Sequence, residues 1–370
     1  MKIAYLTTSL VPSVAANSVQ VMKMSQALGR LGHDVTLYCS HGTVDTDPFE
    51  FYGVDHVFRL QRAERSGAGK LAPASYLARQ MAAILKAGRA DLYFSRTARL
   101  LYAAAPLGRP LMFEAHSVPL PGPRREALRP LYRLPNFKRL VCISAALARD
   151  YLEAYPEIDP AKVLVAHDAA NPMDLSEPIS DAEWPGRKDA FQVGYVGGIY
   201  PGRGVETVVV MARELPHVDF HIIGGDEKTV AFWKEEKGAT DNIIFHGHQP
   251  HVALRHFYPR LDALLAPFQN KVTVHGGAGD TRRWMSPLKI FEYMATGKPM
   301  LCTDFPVLRE VLRHDDNAVL LPAEDDAAWT AAVAALAEDP VKCAAIGASA
   351  FADFEEHYTW KTRAKLVVAP

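Results

Sequence analysis

The sequence predicts an α/β protein with two doubly wound parallel-sheet domains in series. Three observations support this fold class: short apolar runs alternate with amphipathic helical segments, the alternation breaks once near the middle of the chain, and it then restarts. Apolar runs rich in β-branched and aromatic residues are typical of buried strands, and strand–helix alternation indicates a parallel sheet covered by helices on both faces. A chain of 370 residues is long enough for two such domains.

The N-terminal domain is predicted to span residues 1–172. Its strands are expected, in chain order, at IAYLTT, DVTLYC, HVFRL, DLYFS, PLMFEAH, RLVCIS and KVLVAHD. Helical spacing of apolar residues occurs between several of them, as in SVQVMKMSQALGRLG, SYLARQMAAILKAG and AALARDYLEAY.

The alternation breaks in NPMDLSEPISDAEWPGRKD, which holds three prolines and little apolar content. We therefore predict a linker over 173–189 and a C-terminal domain over 190–355. Strands are expected in that domain at QVGYVGG, DFHIIGG, NIIFHGH, ALLAPF, PMLCTD and AVLLPA. The amphipathic segment HYTWKTRAKLVV predicts a tail helix within 356–370, for which packing back on the N-terminal domain is one arrangement.

Composition excludes several classes of protein. With 49% hydrophobic and 22% charged residues, the chain is typical of a globular enzyme and unlike a disordered protein. The four cysteines form no C-x-x-C pair, so neither a zinc site nor a disulfide framework is expected. The N-terminus resembles a first strand and not a signal peptide, and no apolar run reaches the length of about 18 residues that a membrane span needs. A cytoplasmic location is predicted, with peripheral attachment to the inner face of the membrane left open.

Positive charge is concentrated between Arg59 and Arg139, where 16 Lys and Arg face 4 Asp and Glu. This block indicates either a solvated surface or attraction to an anionic partner such as a membrane surface, an acidic glycan or a lipid diphosphate. No nucleic-acid motif accompanies the charge, so nucleic acid is not an expected partner. Within the block, RPLYRLPNFKRL alternates basic and aromatic residues, which suits either a bilayer surface or an ordinary helix followed by a basic turn.

In an open α/β sheet, ligands bind beyond the carboxyl ends of the strands, so we searched the loops that follow strands. The loop VGGIYPGRG carries Gly197, Gly198 and Gly202, which allow close approach of the backbone to a ligand, and Arg203, which supplies a cation. Such a loop can hold a phosphate, although a plain strand-to-helix turn remains an alternative. Its spacing differs from the G-x-G-x-x-G dinucleotide motif.

The stretch SPLKIFEYMATG is the second candidate. Ser286 suits an N-cap and Pro287 the first helical turn, with Leu288 following and Lys289 and Glu292 one turn apart. A diphosphate beside Lys289 and a ribose diol beside Glu292 would satisfy both charges. The alternative is a surface Lys–Glu pair, against which the apolar flanking residues argue.

Three further loops contribute weaker candidates. His116 follows the apolar strand of FEAHSVP, Gly224 and Gly225 follow another strand and could flank a flat base, and Asp280 could bind a sugar hydroxyl. No D-x-D motif stands in a convincing setting, so neither a metal nor any other cofactor is expected.

Taken together, these motifs resemble those of the retaining GT-B glycosyltransferases of family 4. SPLKIFEYMATGKPMLCTDFPVLREVL resembles the family's donor-site motif, and VGYVGGIYPGRGVETVV resembles its phosphate loop. SVQVMKMSQALGRLGHDVTLY, VCISAALARDYLEAY and YTWKTRAKLVV extend the resemblance over nearly the whole chain. The resemblance implies a GT-B fold, in which two Rossmann-like domains face a cleft, with a nucleotide-sugar donor on the C-terminal domain and the acceptor on the N-terminal one.

The resemblance also implies roles for single residues. Arg203 falls where the family carries a lysine on the donor diphosphate, Glu292 where it binds the ribose, and His116 where a histidine lies beside the transferred sugar. The first N-terminal loop of the family, which serves the acceptor, usually holds a glycine pair, replaced here in part by Ala16 and Asn17.

Two donor-site positions depart from the family pattern. An arginine is frequent where this chain has Gly198, and a paired glutamate is expected where it has Trp284. Lys289 is our candidate for the missing cation and Asp280 for the missing carboxylate.

The sequence thus predicts a glycosyltransferase of the hexosyltransferase type, active in polysaccharide biosynthesis. It would transfer a sugar from a nucleotide diphosphate to a glycan, a lipid-linked or a small-molecule acceptor, with retention of configuration and without a metal. Two alternatives stay open: a nucleotide-sugar epimerase with the same architecture, and a catalytically silent nucleotide-sugar-binding protein. The epimerase would require a pair of acid/base carboxylates, which the sequence does not offer.

Overall fold

The structure, a computed structural model, describes residues 1–64, 72–86, 88–200, 202–236, 238, 240–272 and 280–370. The chain divides into two compact units. The first unit joins Met1–Asp168 to Trp360–Pro370, and the second unit is Ala169–Thr359.

Thirteen strands are present in the described residues, in two sheets. In chain order they are β1 (Lys2–Val11), β2 (Asp34–His41), β3 (Arg59–Ala63), β4 (Leu92–Ser95), β5 (Leu111–Ala115), β6 (Phe137–Cys142), β7 (Val163–Val165), β8 (Phe191–Val196), β9 (Val218–Ile223), β10 (Ile243–Gly247), β11 (Ala263–Ala266), β12 (Met300–Thr303) and β13 (Val319–Leu321).

The helices surround these sheets. They are α1 (Ala16–Arg30), α2 (Pro48–Tyr52), α3 (Ala72–Lys86), α4 (Ala98–Ala104), α5 (Pro123–Glu126), α6 (Arg129–Tyr132), α7 (Ala145–Ala154), α8 (Val205–Glu214), α9 (Glu227–Ala231), α10 (Leu254–Phe257), α11 (Leu288–Met294), α12 (Asp326–Glu338), α13 (Pro340–His357) and α14 (Trp360–Val368).

The strand order of each sheet reverses once. The first sheet runs β3-β2-β1-β4-β5-β6-β7 and the second β10-β9-β8-β11-β12-β13. All the strand pairs are parallel. The predicted fold class is therefore confirmed as two doubly wound parallel sheets. The reversals lie between β1 and β4 and between β8 and β11, and ligands bind in such sheets at these points, beyond the strands' carboxyl ends.

Helix α13 is the principal element that the sequence analysis did not anticipate. Its 18 residues hold a glycine and several small side chains, which weaken the helical signal. A Cβ on Gly347 would lie 2.1 Å from the carbonyl oxygen of Gly297. The glycine therefore allows the helix to approach the backbone of the turn after α11, and this close packing offsets its low helix propensity.

Helix α14 belongs to the first unit, where it packs on α1. Arg139 of β6 donates hydrogen bonds to the carbonyl oxygens of Val367 and Ala369, at 3.2 and 3.0 Å. Near the other end of α14, the guanidinium of Arg363 is buried within the unit. These two arginines attach the end of the chain to the N-terminal sheet.

The segment 173–189, predicted as a linker, lies within the second unit and is attached to it by specific contacts. The indole ring of Trp184 stacks on the ring of His221, with centroids 4.2 Å apart. The amide of Ile179 donates to the carbonyl of His256 at 2.8 Å. The division between the units falls after Asp168, four residues before the predicted end of the N-terminal domain. The prolines prevent this segment from forming a helix or a strand. It nevertheless packs along the second unit through contacts such as those of Trp184 and Ile179.

The basic segment RPLYRLPNFKRL does not present its aromatic rings to solvent. Tyr132 and Phe137 are 4% and 1% exposed, and their rings pack edge to face. The hypothesis that these rings lie on a bilayer was wrong, because the segment uses them to pack against the first unit. No helix in the described ranges is both long and apolar enough to cross a membrane.

Candidate functional site

The loop after β8 lies at the point where the second sheet reverses. The amide of Gly197 donates to the carbonyl of Ile223 at 3.0 Å, which joins this loop to the end of β9. The hydroxyl of Tyr195 donates to the carbonyl of Gly198 at 2.6 Å. These two hydrogen bonds attach the loop to the end of β9 and to Tyr195 of β8, and so fix the conformation of its backbone before α8 begins.

Gly202 and Gly204 permit the close approach of this loop to the segment after β11. Both have positive φ, +85° and +84°, and a Cβ on them would lie 2.1 Å from the oxygen of Lys271 and 1.8 Å from that of Pro267. A side chain at either position would meet backbone atoms in a conformation that L-residues avoid. The glycines thus hold Arg203, which lies between them, against the end of β11.

We expect Gly204→Ala to destabilise the protein by clearly more than about 1 kcal/mol, since both strain and a backbone clash oppose it. Gly32→Ala is a matched control, because Gly32 also has φ of +84° but no heavy atom within 4 Å of its Cβ position. Urea unfolding of the two variants separates the clash from the strain. Equal losses of stability would contradict the packing role of Gly204.

Lys289 extends from α11 toward the same loop. Its Nζ atom lies 3.8 Å from the centroid of the Tyr195 ring and 5.7 Å from that of Phe268. A Cβ on Gly197 would lie 3.1 Å from the Nζ atom of Lys289. Nζ is buried and, in the part of the chain that is described, has no hydrogen-bond partner. A buried ammonium without a partner is costly, which indicates a site built for an anion.

Arg203 and Glu292 complete the charge distribution around Lys289. The guanidinium of Arg203 lies 6.0 Å from the centroid of the Phe268 ring, which Lys289 also approaches. Burial holds the pKa of Lys289 well below its usual value, the positive charge of Arg203 lowers it further, and Glu292 partly opposes both effects. An anion bound beside Lys289 and Arg203 would offset the repulsion that lowers the pKa of Lys289.

The start of α11 differs by one position from the prediction. Pro287, in an extended conformation with ψ of 126°, is the residue that precedes the helix, and Leu288 is its first residue. No side chain caps the helix, so Ser286 is not the N-cap. Because the extended ψ of Pro287 leaves it outside the helix, the predicted start was wrong, while Lys289 and Glu292 are still one turn apart.

Glu292 contacts His251, which belongs to a segment, HGHQPH, that could flank a flat base but in which the sequence analysis predicted no single site residue. Nε2 of His251 lies 2.8 Å from a carboxylate oxygen of Glu292, and the carboxylate is 14% exposed. His251 stands in the segment HGHQPH after β10, on a short turn of helix, so the loop after β10 reaches the donor-site candidates.

The remaining candidates of the second unit have local contacts. A Cβ on Gly224 would lie 1.9 Å from the oxygen of Gly197, and one on Gly225 would lie 2.3 Å from a methyl carbon of Ile199. These two glycines let the loops after β8 and β9 pack together. A carboxylate oxygen of Asp280 accepts from the amides of Val272 and Arg282, at 3.2 and 3.0 Å, and so fixes its own loop. The neighbouring residues 275–279 of HGGAGDTRRW lie outside the described ranges.

In the first unit, a cavity of about 280 Å³ lies at the reversal between β1 and β4. Its lining includes His116 after β5 and Asn17 on α1, together with hydroxyl groups of the β1 residues Thr7, Thr8 and Ser9. Hydroxyl and amide groups of this kind suit a polyhydroxylated ligand. The predicted pair of Ala16 and Asn17 is not in a loop, since both stand in the first turn of α1, and of the two only Asn17 lines the cavity.

Glu114 of β5 also lines the cavity, and its side chain is completely buried. One of its oxygens accepts from Nε2 of Gln20 at 2.6 Å and lies 2.8 Å from Nε2 of His116. The other oxygen lies 3.0 Å from the guanidinium of Arg363 on α14. Burial alone would raise the pKa of Glu114, but Arg363, His116 and Arg96 hold it well below its usual range. The carboxylate is thus an acceptor with both oxygens in use.

Sequence reasoning found His116 but missed the groups that support it. A signal was present, because Glu114 interrupts the apolar run PLMFEAH, and a charge inside a buried strand needs partners. Arg363 is separated from Glu114 by 249 positions, so no local pattern connects them. Among the described residues, no group of three His, Cys, Asp or Glu side chains could hold a metal ion.

Comparison with known families agrees with this arrangement. Residues 18–172 match the family model described as Glycosyltransferase Family 4, and residues 177–353 match that described as Glycosyl transferases group 1. The two matches follow one another and leave unmatched only the chain ends and residues 173–176. The two matches together support a glycosyltransferase of the family 4 type.

Within this glycosyltransferase family, curated relatives match parts of the chain. The D-inositol 3-phosphate glycosyltransferase of Thermobispora bispora is 25% identical over 231 residues, which are 57% of this chain and 50% of that protein. TuaH of Bacillus subtilis is 24% identical over 119 residues, which are 32% of this chain and 28% of TuaH. The matched region thus spans half or less of the length of these relatives.

Solved glycosyltransferase structures share the fold over nearly the whole chain. HepE of Anabaena, in complex with UDP-glucose, superposes with a TM-score of 0.74 at 17% identity, covering 99% of this chain and 98% of HepE. Sucrose-phosphate synthase from Thermosynechococcus elongatus superposes with a TM-score of 0.75 at 17% identity, covering 98% and 96%. At these identities the likeness establishes the fold, which is that of the GT-B glycosyltransferases.

Proposed function

We propose that this protein transfers a hexosyl group from a nucleotide-diphosphate sugar to a saccharide or lipid-linked acceptor. The observation that carries the proposal is the approach of Lys289 and Arg203 to the ring of Phe268 at the reversal of the second sheet. Cleavage of a sugar–diphosphate bond leaves negative charge on the diphosphate, and fixed cations lower the energy of that state. In this proposal Lys289 and Arg203 bind the diphosphate directly, and no metal takes part.

The proposed donor site assigns further roles around these cations. Glu292 accepts hydrogen bonds from the ribose hydroxyls, and the amide of Gly198 faces the phosphates, since that of Gly197 donates to Ile223. Lys289 supplies the cation that the family places at the position of Gly198. This role is supported by the closeness of Nζ to Gly197, where a Cβ would lie only 3.1 Å away.

We propose further that transfer proceeds with retention of configuration by a front-face route. The acceptor hydroxyl attacks the anomeric carbon from the side of the departing diphosphate, whose oxygen takes the acceptor's proton. No carboxylate on the described part of the first-unit cavity is available as a nucleophile, since Glu114 has both oxygens engaged by Gln20, His116 and Arg363. The stereochemistry of the product, read by NMR, distinguishes retention from inversion.

Donor binding is tested by thermal shift with UDP-, GDP-, dTDP- and CDP-sugars, each with and without EDTA. A ligand that binds the native state raises Tm. At a ligand concentration of a hundred times Kd, it adds about 2.7 kcal/mol to the free energy of unfolding. HepE binds UDP-glucose, so a UDP-sugar is the expected ligand here. We expect the shift to survive EDTA and to disappear in Lys289→Met. No shift with any of the four nucleotide classes would contradict the proposal.

The acceptor is proposed to be anionic or carried by an anionic membrane surface. Leu120 is 83% exposed in the segment that follows the cavity-lining residues Ser117 and Pro119, and the exposed Arg124 stands close behind it. An apolar side chain beside a cation suits a lipid headgroup region. We expect flotation with vesicles rich in anionic lipid at low salt, reduced by Leu120→Asp. No flotation under those conditions would contradict a membrane-bound acceptor.

Two alternatives give different results in the same assays. An epimerase converts the nucleotide sugar in the absence of any acceptor, whereas a transferase yields only slow hydrolysis. A silent binding protein shows the thermal shift without hydrolysis or transfer. Product analysis of the donor after prolonged incubation therefore separates all three.

A further inference from the structure

Helix α14 supplies a buried charged group that contacts Glu114, one of the residues that line the cavity of the first unit. The side chain of Arg363 is 2% exposed, and its guanidinium lies 3.0 Å from an oxygen of Glu114. Its Nε donates to the carbonyl of His167 at 2.8 Å, and a terminal nitrogen donates to that of Ala166 at 3.3 Å. Hydrogen bonds to two carbonyl groups that follow β7 thus hold the guanidinium in position, in addition to its contact with the carboxylate of Glu114.

Glu114 transmits this position to His116. The oxygen that faces His116 also accepts from Gln20 at 2.6 Å, and Arg96 donates at 2.8 Å to the side-chain oxygen of Gln20. Gln20, His116 and Arg363 therefore each place a donor on the carboxylate of Glu114, while the buried carboxylate of Asp168 is the nearby acidic group. A carboxylate surrounded by donors remains ionised and can only accept hydrogen bonds.

The protonation of His116 follows from its surroundings. Burial and the nearby charge of Arg96 lower the pKa of His116, while Glu114 and Asp168 oppose this effect. The ring is therefore mainly neutral at neutral pH, and Nε2, which lies 2.8 Å from Glu114, carries the proton and donates it. Within the described residues, Nδ1 has no hydrogen-bond partner, and His116 lines the cavity. Nδ1 is left as an acceptor.

We propose that Arg363 is a positioning residue that acts through Glu114 to hold His116 in its Nε2–H form, so that Nδ1 accepts a hydrogen bond from a hydroxyl of the sugar substrate. This inference rests on the proposed function for the identity of the ligand. The contact chain itself is independent of it. Helix α14 thereby becomes part of the N-terminal site.

The proposal is tested in the full-length protein by NMR of histidine labelled with ¹⁵N, with the His116 signals assigned by their loss in His116→Gln. We expect a protonated Nε2 and an unprotonated Nδ1 in the unaltered protein. Arg363→Gln removes the strongest charge that opposes the effect of burial on Glu114, so the pKa of Glu114 rises. The Nε2–H form of His116 is then expected to lose its dominance. Arg363→Lys keeps the positive charge, so we expect the Nε2–H form of His116 to dominate in this variant. In Glu114→Gln, which retains the side-chain shape, the amide can donate, and the preference is lost again.

Arg139→Gln is the matched control, because Arg139 holds the same helix at Val367 and Ala369 but does not contact Glu114. We expect it to leave the tautomer unchanged. Transfer assays should show kcat reduced about 10–100-fold in Arg363→Gln, the range found when a group that orients a metal-binding histidine is removed, with little change in the KM of the donor.

Unchanged tautomers in both Arg363→Gln and Glu114→Gln would overturn the proposal, as would an equal tautomer change in Arg139→Gln. If Arg363→Gln does not fold, Arg363→Lys and Glu114→Gln decide the question. If the tautomer changes as expected but His116→Gln transfers sugar at the normal rate, the positioning contact stands and the role of His116 in the proposed function fails.

Discussion

Replacing Arg203 by alanine is expected to lower the turnover of glycosyl transfer by roughly a hundredfold or more, because a fixed cation that meets developing charge contributes on the order of 2.7–4 kcal/mol. Arg203 stands between Gly202 and Gly204, whose close contacts fix the loop, so its guanidinium is held at the end of β11. Arg203→Lys should retain much of the rate, since it keeps the charge and the family carries a lysine there. Steady-state kinetics with a saturating UDP-sugar provides the measurement.

Arg213→Ala serves as the control, because Arg213 is an exposed residue near the other end of α8 whose described side-chain contact is with the carbonyl of Gly238. Its turnover should equal that of the unaltered protein. An Arg203→Ala variant of normal Tm and normal turnover would remove Arg203 from the mechanism. A loss confined to KM would mean that Arg203 binds the ground state and the transition state equally well.

Replacing Lys289 by methionine is expected to change stability and donor binding in opposite directions. In the unliganded protein the ammonium is buried against Tyr195 and Phe268 without a hydrogen bond in the described residues, so an apolar side chain of similar length should stabilise the fold by about 1 kcal/mol or more. Donor binding should be lost, because the cation that faces the diphosphate is absent. Thermal unfolding with and without a UDP-sugar measures both effects.

The pH dependence gives an independent check on Lys289. Its pKa in the folded protein lies well below the value in the unfolded chain, so the unfolded chain binds more protons and stability rises with pH up to the unfolded value. A bound diphosphate favours the charged form of Lys289 and raises its pKa, so donor binding takes up protons. Donor affinity is therefore expected to fall as pH rises from the pKa of Lys289 in the free protein to its pKa in the complex. Calorimetry in buffers of different ionisation enthalpy detects that uptake. A Lys289→Met variant that is less stable, yet binds the donor normally, would contradict both expectations.

The sequence was sufficient for the architecture because the strand signals are local. Runs such as DVTLYC and ALLAPF are short, apolar and bounded by turns, and each became a strand of a parallel sheet. The one long helix that was missed, α13, has small residues whose role is to approach a neighbouring backbone at Gly297. Such a role depends on a partner distant in sequence and therefore leaves no periodic signal.

The same distinction separates what was found from what was missed at the candidate sites. Arg203, Lys289 and Glu292 stand in loops and helix starts that follow strands, where a local rule applies. Their mutual approach at Phe268, the contact of His251 with Glu292 and the pair of Arg363 with Glu114 depend on tertiary structure. Buried charge was the usable signal for Glu114, Lys289 and Glu292, because a charged residue inside an apolar run requires a partner.

The course of the chain has a consequence for biosynthesis. The second unit, Ala169–Thr359, is inserted between the two parts of the first, so the ribosome makes all of it before it reaches α14. A nascent chain that extends only to Thr359 contains the first sheet and Glu114 but lacks Arg363, whose charge is the largest that opposes the effect of burial on Glu114. The histidine site is therefore completed only after the whole second unit has been synthesised, whatever the order in which the two sheets fold.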